Sequence, residues 1–205
     1  MRVLKSAIAF VLFSLAFIPS SKASSITYVD TGYGSGTFGG LTFVDKLITI
    51  MFSTDTTGIV PNGPGLFVNK LGTGGSVGVE GIGQAELFNA YAYVNQSFNG
   101  TAAAGIATTD AFGTVLGTLN NSFSTYALGA LSSTVGRSYS RPDLIFSTAF
   151  GDFNLESIGE TTFTAIANVS PVPLPASLPM FSAALLGLGA VGFGMKRKSK
   201  AAASA

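Results

Sequence analysis

Apolar and polar side chains alternate with a period of two near residue 165. The apolar members are Phe163, Ala165, Ala167 and Val169, and Thr162, Thr164 and Asn168 stand among them. This period is that of a β-strand with one buried face. Together with residues 153–158 and a turn at 159–160, the stretch predicts a closing β-hairpin.

The preceding region predicts further strands. Residues 26–33, 41–44 and 47–53 are rich in β-branched and aromatic side chains, and Gly39-Gly40 lies between the first two as a hairpin turn does. The other predicted strands are residues 84–97, 126–131 and 144–147. Residues 101–119 leave helix and strand open, since three consecutive alanines favour a helix and three glycines oppose it.

The segment 24–170 therefore predicts one all-β domain, built as a β-sandwich or a jelly roll. It is of ordinary size for a single domain with its own core. The chain contains 26 glycines and 17 phenylalanines. Frequent turns and an aromatic core are expected from this composition.

An apolar run precedes this domain. Arg2 and Lys5 stand before the apolar residues 7–18, which are too few for a comfortable membrane span. Small side chains follow at the positions that signal peptidase reads, Ser21 and Ala23. Residues 1–23 are therefore predicted to be a signal peptide that is cut between Ala23 and Ser24.

A second apolar run follows the domain. Residues 171–179 are rich in proline and predict an extended stalk, because proline fixes φ and lacks an amide donor. Residues 180–195 are uncharged and predict a transmembrane helix, since about 18 residues from Leu178 span roughly 27 Å. The tail 196–205 begins with a stop-transfer signal that is expected to stay in the cytoplasm. Its cations are Lys196, Arg197, Lys198 and Lys200.

The order of these C-terminal features resembles a known sorting signal. Val172-Pro173-Leu174-Pro175-Ala176, an apolar glycine-rich helix and a short basic tail are similar to the VPLPA form of the PEP-CTERM signal. The resemblance implies a Gram-negative envelope protein recognised by an exosortase, a membrane enzyme with a cysteine nucleophile that cuts near the motif. The commoner motif of that family is Val-Pro-Glu-Pro, so Leu174 leaves the exosortase subtype open.

Other C-terminal anchors share parts of this pattern. A plain bitopic anchor with a proline-rich stalk remains open. The Gram-positive sortase signal requires Leu-Pro-x-Thr-Gly, and residues 174–178 differ from it at both final positions. A glycosylphosphatidylinositol signal would end on its hydrophobic tail, whereas this chain continues into lysines and an arginine.

Charge and composition restrict the function of the central domain. Both apolar ends contribute to the mean hydropathy of +0.48, while residues 24–170 carry four cations and ten acids, a net charge of −6. Such a surface repels nucleic acid, so neutral sugars, cations or proteins are the expected partners. The chain has no cysteine and no histidine. This excludes thiol catalysis, disulfides and every Ser-His-Asp arrangement.

Several local motifs suggest chemistry but fit a structural role better. Residues 34–39 match G-x-G-x-x-G, yet a strand rather than a helix is predicted after them, so a turn is favoured over a dinucleotide site. Residues 72–78 lack the lysine of a phosphate-binding loop and predict a flexible connection. Three acidic positions are candidate calcium ligands, although aspartate also favours turns. They are Asp30 before Gly32, Asp55 before Gly58, and Asp152 with Asn154.

Two further groups of charged residues are candidates for sugar chemistry. Glu80 and Glu86 could form a glycosidase pair, but the glycines between them fix no geometry. Arg137 and Arg141 flank Tyr139 and could contact an anion or a carboxylated sugar. A solvated loop is the simpler interpretation of that segment. No catalytic residue, metal site or cofactor is predicted.

The sequence thus predicts an exported envelope protein with a non-enzymatic, structural or adhesive role among exopolysaccharides. The expected partners are signal peptidase, an exosortase, the inner membrane and an exopolysaccharide, and no nucleic acid. Transient anchoring would precede release to the envelope, the surface or the medium. The alternatives are a secreted carbohydrate-active enzyme that uses carboxylates, and a simple membrane-anchored β protein.

Overall fold

The computed structural model describes residues 25–70, 72–109, 113–141 and 143–168. All of them belong to one compact unit, Ala23–Ser170. The predicted signal peptide and its cleavage site, the sorting motif, the transmembrane helix and the basic tail lie outside the described residues.

The described residues form twelve β-strands and two short 3-10 helices, which confirms the all-β prediction. The strands are β1 Ser25–Phe38, β2 Leu41–Asp55, β3 Ile59–Pro61, β4 Leu66–Asn69, β5 Gly72–Val79, β6 Gly83–Leu87, β7 Ala90–Phe98, β8 Thr101–Thr108, β9 Gly113–Leu119, β10 Leu131–Tyr139, β11 Ile145–Thr148 and β12 Gly151–Asn168. The 3-10 helices are Thr56–Gly58 and Asn121–Thr125. None of the residues described forms a helix long and apolar enough to cross a membrane.

All strand pairs are antiparallel, in the order β1-β2-β5-β6-β11-β12-β10-β9-β8-β7-β4-β3. β1 also pairs with β12, so six strands from β1 to β12 close into a ring. The other six extend from β12 to the edge strand β3. The ring is narrowest between β6 and β11, where the register holds one pair, Leu87 with Thr148.

The main core lies between these two groups of strands. β1 packs against β8 and β9, β2 packs against β7 and β8, and β12 packs against β9. Phe163 of β12 lies near the centre of an aromatic cluster, with Tyr28 stacked at 6.2 Å and Phe123 edge-on at 5.8 Å. The expected aromatic core is thereby confirmed.

The first and last strands pair along nearly their whole length. Their register runs from Ser25 opposite Asn168 to Phe38 opposite Phe153. The closing hairpin predicted at residues 153–169 is wrong, because residues 159–160 form a bulge opposite Tyr33 rather than a turn. β12 therefore continues without a break.

Two other strand predictions are wrong. Residues 84–97 form β6 and β7 with a turn between them, where Asn89 has a φ of 51°. Residues 126–130 form a loop, because Leu128 adopts a φ of 60° and the hydroxyl of Tyr126 donates to the carbonyl of Gly129 at 2.7 Å. The buried hydroxyl of Tyr28 holds the same loop through the carbonyl of Leu128, also at 2.7 Å.

The remaining strand predictions are confirmed. Residues 26–33, 41–44 and 47–53 lie in β1 and β2, and residues 144–147 largely coincide with β11. Gly39 and Gly40 form the β1–β2 turn with φ of 58° and 80°. The ambiguous stretch 101–119 forms β8 and β9, in which Gly105 and Gly117 lie opposite each other.

Candidate functional site

The outer face of the sheet from β4 to β10 carries the candidate site. The register places one row across five strands: Val68, Tyr93, Gly105, Gly117 and Tyr139. Neighbours along each strand point the opposite way, because side chains alternate between the two faces. Ala92, Val94, Ala104 and Ile106 accordingly lie in the main core. The row itself faces away from that core.

A second apolar cluster surrounds this row. Its buried members are Val68, Tyr93, Ala103 and Ala107, and Leu66, Tyr91, Phe98 and Leu119 pack against them. A cavity of about 160 Å³ opens on the cluster, and its lining residues are Asn62, Leu66, Val68, Tyr91, Tyr93, Ala107, Gly113, Thr114, Tyr139 and Arg141. Tyr91 also lines a polar cavity of about 410 Å³ with Lys70, Glu86, Asn89 and Thr109. These two cavities together are called the aromatic groove.

Glycine keeps the floor of the aromatic groove low. A Cβ atom at Gly117 would lie 2.6 Å from the hydroxyl oxygen of Tyr93, and one at Gly105 would lie 2.6 Å from the Cα atom of Gly117. The bare backbone lets the Tyr93 side chain lie across β8 and β9, where its hydroxyl accepts a bond from Thr114 Oγ1 at 3.2 Å. Glycine inside a strand commonly marks such a close approach.

The tyrosines at the sides of the groove are held by neighbours. Lys70 Nζ lies 5.2 Å from the centroid of the Tyr91 ring, a cation–π contact. The Tyr139 ring packs on Phe98 with a centroid distance of 4.6 Å. Burial raises the pKa of both Tyr91 and Tyr93. These two phenols therefore remain neutral at physiological pH.

Arginine residues stand beside the groove at the β10 end. Arg137 and Tyr139 alternate with Ser138 on β10, so both belong to the outer face. Arg141 donates from Nε to Asp143 Oδ1 at 3.0 Å and from Nη2 to Oδ2 at 2.9 Å. The guanidinium lowers the pKa of the Asp143 carboxyl, and both side chains are exposed.

Sequence patterns located only half of this groove. The structure brings Tyr139 and Arg141 to one cavity and Arg137 to the same face. The interpretation of their segment as a solvated loop is wrong for residues 135–139, which end β10, whereas Arg141 lies beyond the strand and is exposed. Lys70, Tyr91 and Tyr93 were not among the predicted site residues. The signal for the two tyrosines was their spacing of two residues, which places both on one face of a strand.

The two glutamates do not form a catalytic pair. Glu86 pairs with Ser76 in the register, and Glu80 follows the end of β5 four residues further on. At roughly 3.3 Å per residue they are about 13 Å apart, more than the carboxylate separation of known glycosidases. Glu80 instead lines a separate cavity of about 610 Å³ and accepts a bond from the Leu47 amide at 3.3 Å.

The candidate calcium ligands lie apart. Asp55 caps the first 3-10 helix by accepting from the Thr57 amide at 3.0 Å, as expected of a turn aspartate. Asp152 and Asn154 are not in a turn but in β12, and the Asn154 amide donates to the carbonyl of Leu144 at 3.1 Å. The described part of the chain holds no group of three or more acidic, cysteine or histidine side chains placed to bind a metal.

Asp30 corrects the prediction most strongly. It lies in the middle of β1, fully buried, rather than in a turn. Thr118 Oγ1 donates to its Oδ1 at 3.2 Å and lies 2.8 Å from Thr161 Oγ1, and Oδ2 has no partner among the described residues. Burial raises the pKa of this carboxyl well above its ordinary value of 3.8. Burial therefore favours the neutral, protonated form of this carboxyl.

The glycine-rich motifs are structural. Residues 34–39 end β1 and enter the turn to β2, so the strand predicted after the G-x-G-x-x-G pattern is confirmed. The flexible connection predicted at 72–78 is wrong, because these residues form β5. A Cβ atom at Gly75 would lie 2.6 Å from that of Ala90, which explains the glycine there.

Comparison with protein-family models, with curated proteins and with solved structures finds no match to this chain. Its function is therefore inferred from the residues and geometry described above.

Asn in place of Asp30 should remove a pH dependence of stability. The raised native pKa means that the native state holds this proton more tightly than the unfolded chain. The stabilisation of the native state by protonated Asp30 is therefore complete below about pH 3.8, and it is lost as the pH rises towards the native pKa. If the native and unfolded pKa values differ by one, the free energy of unfolding changes by about 1.4 kcal/mol.

Urea unfolding of wild type, Asp30→Asn and the exposed-site control Asp152→Asn at pH 4 and pH 8 measures this effect. The stability of Asp30→Asn relative to wild type should increase from pH 4 to pH 8, because the native pKa of Asp30 is raised above its ordinary value. A relative stability that stays constant between these pH values contradicts the assignment.

Proposed function

We propose that this protein is an exported, non-enzymatic envelope protein that adheres to exopolysaccharide through the aromatic groove. The observation that carries the proposal is the groove itself, with neutral phenols at its floor and sides and polar groups at both ends. Largely preformed clefts with aromatic walls and a few polar groups are typical binding sites. Tyrosine suits them because it offers an apolar ring and a polar hydroxyl.

We further propose that the strands form a β-sandwich, with the closed ring as one layer and the β10-to-β3 extension as the other. The packing of β1 and β2 against β7, β8 and β9 supports this assignment. The side chains of the groove extend from paired strands and contact one another, as Lys70 contacts Tyr91 and Phe98 contacts Tyr139, so they are positioned before a ligand binds. Preorganisation lowers the entropic cost of association.

Binding fits the groove better than catalysis. Glu86 is the carboxylate among the described lining residues of the two cavities, and a glycosidase of the usual kind needs two. Asp143, which is close in sequence to the lining residue Arg141, is already engaged by that guanidinium. The alternative of a carboxylate enzyme gains no support from this arrangement.

The proposed route to the surface follows from the terminal sequences. Signal peptidase would cut between Ala23 and Ser24, and an exosortase would recognise residues 172–176 while the apolar helix holds the motif near the membrane. The protein would then reside in the envelope, on the surface or in the medium. An extended, proline-stiffened segment is suited to binding in a protease cleft, since its backbone has no internal hydrogen bonds.

Alanine at Pro173 and Pro175 should block maturation without preventing membrane insertion. The substitutions leave the apolar helix and the four cations intact, so the full-length precursor should accumulate in the membrane. The mass of the protein in membrane and extracellular fractions, with and without the candidate exosortase, measures the outcome. Wild-type protein that retains residues 196–205 in the presence of the enzyme would show a simple bitopic anchor instead.

Leucine at Tyr91 should weaken adhesion to exopolysaccharide from the producing cells. Leucine keeps apolar volume at the second cluster but removes the aromatic ring. The loss of the ring should weaken the free energy of binding by about 1 kcal/mol, or roughly fivefold in affinity. Tyr33→Leu is the matched control, because Tyr33 is 57% exposed and lies on β1, outside the groove. Equal binding by both variants, at unchanged melting temperature, would contradict adhesion through the groove.

A further inference from the structure

We propose that the aromatic groove selects an acidic polysaccharide, with a uronate carboxylate on Arg141 and sugar rings against Tyr91 and Tyr139. This inference rests on the proposed adhesive function and adds the chemical class of its ligand. It is carried by the distribution of cations, by the geometry of the Arg141 guanidinium and by the length of the groove.

The cations of the domain are concentrated on one side. Residues 24–170 carry a net charge of −6 with only four cations. Lys70 and Arg141 line the groove, and Arg137 lies on the same outer face by the alternation of β10. The fourth cation, Lys46, lies on β2. An acidic domain with this arrangement attracts an anionic chain locally while its other surfaces repel it.

Arg141 has donors to offer to a ligand. Its contact with Asp143 uses Nε and one hydrogen of Nη2, which is one edge of the guanidinium. An arginine carries five N–H donors in a planar fork, so the opposite edge can bind a second carboxylate in a bidentate manner. The Arg141 and Asp143 side chains are 47% and 61% exposed, and exposed pairs of this kind are weak. A ligand carboxylate on the free edge therefore lies beside the Asp143 carboxylate, and the two like charges repel each other.

The spacing of the groove favours a polymer over a small acid. Lys70 follows β4, and Arg141 follows β10, four strands further across the sheet. With strands about 4.8 Å apart, the two cations are separated by roughly 19 Å. Tyr93 and Tyr139 lie in one row at three strand steps, or about 14 Å. A chain with repeated carboxylates can meet both cations while its rings lie over the tyrosines.

The two ends of the groove differ in net charge, because Glu86 lies at the Lys70 end. It lines the polar cavity together with Lys70, so the net charge of that pair is zero. The β10 end has Arg137 as well as Arg141, and the cavity that Arg141 lines has no carboxylate among its described lining residues. We therefore expect the carboxylate to bind more strongly at Arg141 than at Lys70.

Binding of polygalacturonate to full-length protein, followed by titration calorimetry, tests the proposal, with neutral dextran and single-stranded DNA as comparison ligands. Arg141→Gln should weaken binding about tenfold, the loss of a charge-assisted bidentate contact. Lys70→Gln should weaken it about threefold, or about 0.7 kcal/mol. Lys46→Gln is the matched control, since it removes the same charge elsewhere, and should change affinity less than either.

Asp143→Asn gives the sharpest result. Asp143 repels a ligand carboxylate on Arg141, so removal of its charge should raise the affinity for polygalacturonate several-fold. An affinity that does not rise would place the ligand carboxylate away from the Arg141–Asp143 pair, and the proposal would be overturned. Equal binding of dextran, or of single-stranded DNA, would also overturn selection for an acidic polysaccharide.

The two proposals fail in different ways. Binding of dextran that is lost in Tyr91→Leu but unchanged in Arg141→Gln and Asp143→Asn would retain adhesion through the groove and exclude the uronate. Absence of binding to polygalacturonate, with retained binding to the exopolysaccharide of the producing cells, would also retain adhesion through the groove and exclude the uronate. Absence of binding to every glycan, in protein that melts as wild type does, would contradict both.

Discussion

The pairing of the first strand with the last is the interaction on which the rest of the structure depends. β12 pairs with β1 along one edge, while its other edge pairs with β11 in its first part and with β10 in its second part. One strand thus joins the closed ring to the extension. The amide of Asn168 donates to Thr27 Oγ1 at 3.2 Å, a contact across 141 positions of sequence. Pairing at this separation is slow to form, because loop closure precedes the gain from contacts.

This pairing also positions the groove. β12 pairs with β10, and β10 pairs with β9. Because of this strand order, the row of outer-face residues ends at Tyr139. The buried polar cluster of Asp30, Thr118 and Thr161 joins β1, β9 and β12 on the core side. A shift of register by one residue would turn Thr118 outward and leave Asp30 without its partner. Burial of these polar side chains costs free energy, but the cluster is satisfied in only one register of the strands.

Local patterns in the sequence predicted strands better than their boundaries and partners. The period of two at residues 161–168 was sufficient for the end of β12, yet Gly159 indicated a turn where the chain forms a bulge against Tyr33. The groove combines Tyr139 and Arg141 with Tyr91 and Lys70, which are roughly fifty or more positions away. No local pattern contains the register that brings them together. Asp30 was predicted to lie in a turn because it stands just before Gly32, and its partners Thr118 and Thr161 come from distant strands.

Hydrogen exchange of the full-length protein, followed by mass spectrometry with and without polygalacturonate, tests most directly whether the outer face of β7 to β10 meets the glycan. We predict slower exchange in peptides that contain Tyr91–Tyr93 and Tyr139–Arg141, and unchanged exchange around Thr31 and Thr49 on the outer face of β1 and β2. Protection around Thr31 and Thr49 with none at Tyr91 or Arg141 would contradict binding through the groove.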